Sequence, residues 1–142
     1  MGTDAEARLR ALEDRAAIER LLLDYGRTLD GRDSAGYAAL FARDGVWIAP
    51  GFETRGPAAI KAMIDRMFAN VPASATSHLM SNFWIEVDGD RATASSRFSL
   101  FAPNETGGPR IRLSGHYDDE LVREDGRWRF LRRVLTHDLK AG

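Results

Sequence analysis

Residues 77–101 read SHLMSNFWIEVDGDRATASSRFSLF: two stretches of eleven residues separated by Asp88-Gly89-Asp90. The first is rich in aromatic and β-branched residues, and an Asp-Gly step between two such runs is a hairpin signal. The pattern continues downstream. Ile111 to Arg123 and Trp128 to Asp138 read as further strands joined by Glu124-Asp125-Gly126, and the loop Pro103 to Pro109 links them to the first pair. The C-terminal half therefore predicts three or four long antiparallel strands in succession.

Upstream the period changes. From about Asp4 to Leu29, Leu9, Leu12, Ala16, Ile18, Leu22, Tyr25 and Leu29 recur at helical spacing, predicting one long amphipathic helix that ends near Gly31. A short helix is expected over Ser34 to Ala42, with Asp33 or Ser34 as N-cap, and then a brief strand at Val46 to Ala49. Gly56-Pro57 opens a third helix whose apolar face is Ile60, Met63, Ile64, Met67 and Phe68, and Pro72 ends it. Helices first and strands afterwards imply an α+β fold, with three N-terminal helices packed on one face of a curved antiparallel sheet to enclose a pocket. Such a concavity can hold a small molecule.

At 142 residues the chain is expected to be one domain spanning 1–142. Twenty basic and twenty-one acidic residues leave a formal net charge of -1, which provides no global field for nucleic acid or an anionic membrane. No apolar run approaches the roughly 20 residues of a membrane-spanning helix. The absence of cysteine removes disulfides, thiolate metal sites and cysteine nucleophiles together, and suits a cytoplasmic location. No nucleotide cofactor is expected, since no glycine-rich phosphate loop follows a strand. No metal site is expected either: three ligands, His78, His116 and His137, would have to converge from separate segments.

Strand alternation sorts the candidate site residues. His78, Met80, Asn82 and Trp84 share one face, opposite Leu79, Phe83, Ile85 and Val87, which read as core. On the last strand Arg133, Leu135 and His137 share a face that could reach a cavity mouth; Arg133 also belongs to a basic set with Arg127, Arg129 and Arg132, which reads as a solvated edge. His116 falls with Arg112, Ser114 and Asp118, either toward the pocket or toward solvent. Trp47 and Trp84 read as core or pocket wall. Chemically, Asp30 and His78 are the most informative pair, because a carboxylate that fixes one tautomer of an imidazole makes it a directed general base.

Several segments carry a resemblance: Leu12 to Ile18, Leu23 to Asp30, Phe41 to Trp47, Thr76 to Asn82, Gly115 to Asp119 and Glu124 to Trp128. Together they resemble the SnoaL-like family of the nuclear transport factor 2-like (NTF2-like) superfamily over nearly the whole chain. The resemblance implies a cone-shaped fold, a small hydrophobic ligand, and homodimers or homotrimers formed through the outer face of the sheet. Among its enzymes are scytalone dehydratase, bile acid 7α-dehydratase and hexachlorocyclohexane dehydrochlorinase. The last two have an aspartate near the end of the first helix and a histidine 48 residues on, as Asp30 and His78 stand here. Tyr25 matches a tyrosine of the bile acid enzyme, while the last-strand arginines of the two enzymes fall on Arg133 and near His137. A further aspartate of the bile acid enzyme has no counterpart in Ser99-Leu100-Phe101-Ala102.

The resemblance thus implies a cofactor-independent lyase of the dehydratase type. His78 is the expected base, Asp30 its orienting partner and Tyr25 the hydrogen-bond donor. His116, Arg133, His137, Trp47, Met80, Asn82 and Trp84 are the expected substrate-binding residues. A core role for Tyr25, with its hydroxyl satisfied, stays open. So do two other functions on the same scaffold: a polyketide cyclase or isomerase using the same pair, and a binding module without catalysis.

Overall fold

The computed structural model describes residues 3–71 and 76–141; Pro72, the expected stop of the third helix, lies outside them. Helix α1 spans Asp4–Asp30, opening on Thr3, whose side chain accepts from the Glu6 N–H. Its buried stripe is Asp14, Ile18, Leu21, Leu22, Tyr25, Gly26 and Leu29. The amphipathic pattern fails at its N-terminal end, where Leu9 and Leu12 are exposed. Helix α2, Ser34–Ala38, is capped by Asp33, which accepts from the Gly36 N–H at 2.8 Å. It is shorter than expected because Phe41 already pairs with Phe130 in the sheet.

Strand β1 (Phe41–Ala49) turns through Gly51 into β2 (Phe52–Arg55), a short strand that the sequence reading left out. Helix α3 (Pro57–Asn70) precedes β3 (Ser77–Asp88), β4 (Arg91–Pro103), β5 (Pro109–Glu124) and β6 (Arg127–Lys140). The sheet order is β2-β1-β6-β5-β4-β3. The expected sheet is antiparallel; the one formed is mixed, since β1 lies parallel to β6 while the other pairs are antiparallel. Helices on one face of this curved sheet give the expected α+β cone. No helix among the described residues is long and apolar enough to cross a membrane.

The curvature comes from register shifts. They fall between Ser81 and Trp84, Leu100 and Phe101, Ser114 and Gly115, and Glu120 and Leu121. Each extra residue bends its strand, and it also exchanges the two faces beyond it. In β3 the exchange occurs at Asn82, in the left-handed region at φ 55. His78 and Met80 point inward before it, Phe83 and Ile85 after it. Trp84 is consequently 69% exposed and Leu79 56%.

At the Ser114–Gly115 shift two strands approach too closely for any side chain. A Cβ on Gly115 would collide with the Thr136 carbonyl oxygen and stand 2.8 Å from the Phe98 ring. Replacing Gly115 by alanine is expected to cost about 1–3 kcal/mol of stability, as overpacking does in a closed core. Denaturant unfolding of the variant reads this directly, and an unchanged midpoint would contradict it.

Candidate active site

Helix α1 ends where Asp30 is needed. Gly31 is the C-cap, and Arg32 takes the left-handed conformation at φ 54, held by its N–H to the Leu29 carbonyl at 3.1 Å. One turn earlier on the same face, Gly26 brings the helix against β3. A Cβ there would lie 3.2 Å from both His78 Cβ and Met80 Cγ. The closeness lets the short aspartate side chain span the gap. Asp30 Oδ1 is 2.6 Å from His78 Nδ1, and Oδ2 accepts the His78 backbone N–H at 2.8 Å. Since β3 is the sheet edge, one carboxylate can take both a main-chain and a ring donor of the same residue.

With Nδ1 donating to Asp30, Nε2 is the ring nitrogen left with a lone pair. His78 lines a cavity of about 570 Å³ inside the cone. Trp47, Phe52, Met63, Phe68, Leu113 and Leu135 supply much of its apolar wall. Tyr25, also in the wall, accepts hydrogen bonds from the Tyr37 hydroxyl and from Trp47 Nε1, each at 3.0 Å. The Tyr37 and Tyr117 hydroxyls are pushed well above the usual tyrosine range by burial, with Tyr25 adding to the effect.

His137 is the second histidine of the wall. Its Nδ1 is buried without a partner among the described residues. A buried lone pair is cheaper to leave unmet than a buried N–H, so the proton belongs on Nε2. Burial, and then the Lys140 ammonium, lower its pKa, which keeps the ring neutral.

Five expected binding residues stand outside the cavity, each for a physical reason. His116 faces the outer side of the sheet, since its neighbour Tyr117 points inward; its Nδ1 is 3.0 Å from Asp138 and its Nε2 3.6 Å from Asp118. Met80 is buried against Gly26 behind the pair, while Asn82 and Trp84 are turned outward by the bulge. Arg133 is neither a solvated edge residue nor a cavity residue. It is completely buried, with its guanidinium 4.0 Å from the Tyr25 ring centroid, 3.7 Å from that of Tyr117 and 4.3 Å from that of Phe130. Alternation failed to place Tyr37 in the wall, because it arrives on a short helix. Tyr117 lines the cavity as well, on the face of β5 opposite His116, a choice of face that alternation leaves open.

A curved sheet closed by N-terminal helices around an apolar cavity is the architecture of the NTF2-like fold class. Residues 10–134 match the SnoaL-like domain family, and the chain belongs to that family. It is 36% identical over 131 residues to the uncharacterized protein Rv2910c of Mycobacterium tuberculosis, covering 88% of this chain and 86% of that one. An NTF2-like protein of Novosphingobium aromaticivorans superposes with TM-score 0.88 at 29% identity, covering 98% of this chain and 91% of the other. A candidate scytalone dehydratase from the same organism gives TM-score 0.79 at 31% identity, covering 92% and 88%.

Beneath the cavity, Asp119 lies 3.5 Å from Arg133 Nε, both side chains fully buried, and neither carboxylate oxygen has a hydrogen bond. Burial raises its pKa to about 7, with Arg133 pulling the other way. An acid raised on folding binds more protons folded than unfolded, so its contribution is greatest below its ordinary value and declines as the pH climbs through about 7. The melting-temperature difference between wild type and Asp119→Asn should therefore shift in favour of wild type on going from pH 7.5 to 4.5. A pH-independent difference would count against a raised Asp119.

Proposed function

We propose that this protein is a cofactor-independent lyase catalysing a dehydratase-type elimination on a small hydrophobic cyclic or polyketide-like molecule. The observation that carries the reading is the two-point contact of Asp30 with His78, on the wall of an apolar cavity. His78 Nε2 removes a proton from a carbon next to an activating group such as a carbonyl. The C–H electron pair becomes the new C=C bond as the β-hydroxyl departs. That hydroxyl takes the proton back from the imidazolium and leaves as water, which restores the neutral base.

Asp30 stabilises the transient imidazolium and prevents the ring from rotating. The Tyr25 hydroxyl, with Tyr37 and Trp47 donating to it, is oriented to hydrogen-bond the leaving oxygen or a carbonyl gaining charge. Preferential burial of an apolar substrate excludes competing water from the base.

Cyclic β-hydroxy-carbonyl compounds incubated with the protein should develop the absorbance of a conjugated enone and lose the mass of one water. His78→Ala should reduce kcat/KM by about 10²- to 10⁴-fold, the range of general-base catalysis, while melting normally. Wild-type turnover in a normally folded His78→Ala protein would exclude the mechanism, and rearrangement without loss of water would identify an isomerase or cyclase.

A further inference from the structure

The mouth of the cavity differs in charge from its interior. Its wall includes Arg32, Arg112 and Lys140 and, among the described residues, no aspartate or glutamate. A chain with slightly more acidic than basic residues does not produce that by composition. The nearest acids are engaged elsewhere: Asp30 holds His78, and Asp138 faces the other side of the sheet with His116 and Arg97. Arg32 is also engaged, donating to the Phe68 and Val71 carbonyls at the end of α3.

Arg112 and Lys140 are different. No ion pair among the described residues includes either. The sheet register brings them together, with Lys140 opposite Leu113 and the Ala141 N–H donating to the Arg112 carbonyl at 2.9 Å. Both side chains are exposed on one side and border an apolar cavity on the other. His137, three residues before Lys140, adds a neutral imidazole whose Nε2–H can donate.

We propose that Arg112 and Lys140, with His137 beside them, form a carboxylate subsite at the cavity mouth, so that the molecule taken up is an apolar body ending in a carboxylate. The inference deepens the elimination reading, because it rests on the same cavity being the binding site. The apolar body supplies most of the affinity by leaving water. The charge decides direction: with its anionic end held at the solvated mouth, the opposite end is the one delivered toward His78 and Tyr25.

The test is a calorimetric titration with 2-naphthoate and its uncharged isostere 2-naphthamide, at pH 7.5 and low salt. Wild type should bind 2-naphthoate about tenfold more tightly, as expected for two partly exposed ion pairs of under ~1 kcal/mol each. The Arg112→Ala/Lys140→Ala double variant should lose that preference, and raising NaCl should weaken the naphthoate alone. His78→Ala should keep the preference, which separates the subsite from the chemistry. Equal binding of both probes, or a preference that survives the double variant, would overturn the subsite while leaving the elimination reading intact. Failure of both probes to bind would overturn the subsite and count against the cavity as a binding site.

Discussion

A guanidinium with no access to water is the constraint around which this cone is organised. Desolvating a charge costs several kcal/mol, and the structure can tolerate it only by supplying substitutes for water in fixed directions. Arg133 on β6 receives them from four elements: the Tyr25 ring from α1, Ser96 Oγ from β4 at 3.4 Å, Tyr117 and Asp119 from β5, and Phe130 from its own strand. Arginine suits the position because its planar, weakly hydrated head stacks on aromatic faces as lysine cannot. Sliding α1 along the sheet would strip one face of the charge. The register of helix on sheet is therefore set from the centre of the core, and the position of Asp30, one and a half turns beyond Tyr25, follows from it.

That same residue marks the limit of what alternation reveals. The helices, the four long strands and their turns were legible, because each has a local cause: a cap, a period, or an Asp-Gly step such as Asp88-Gly89 and Asp125-Gly126. The faces of the strands were legible only as far as the first bulge. Alternation groups Arg133 with Leu135 and His137, and the basic set Arg127, Arg129 and Arg132 reads as a solvated edge; neither shows that the register shift opposite Glu120 and Leu121 brings Arg133 onto the same inward side as Phe130. Trp84, an apparent pocket residue, is turned outward by the shift at Asn82 for the same reason. A bulge depends on what the neighbouring strand demands, so a strand read alone does not announce it.

The site divides along the same line. Asp30 and His78 were legible as a pair because the spacing of an aspartate from one of only three histidines matched that of a family, and their contact needs only the end of one helix and the start of one strand. Tyr25 was legible as a stripe residue, but its hydrogen bonds from Tyr37 and Trp47 join three segments and appear only when those segments meet. Arg112 and Lys140 left no periodic trace, since they lie near strand ends where the sheet opens and alternation no longer decides what a long side chain reaches.

The location of Asp30 argues for the proposed role in a way that its contact distance alone does not. It is the last residue of α1, where the backbone carbonyls give the helix a partial negative charge and a further carboxylate is disfavoured. A neutral amide could not make the same tie, because its nitrogen would meet one of the two His78 N–H groups donor to donor. The carboxylate gains its advantage when the imidazole beside it becomes positive, because the acid and the helix end then stabilise the same cation. The stabilisation is thus greater once a proton has been taken than in the resting state, and this asymmetry is what a general base requires of its surroundings.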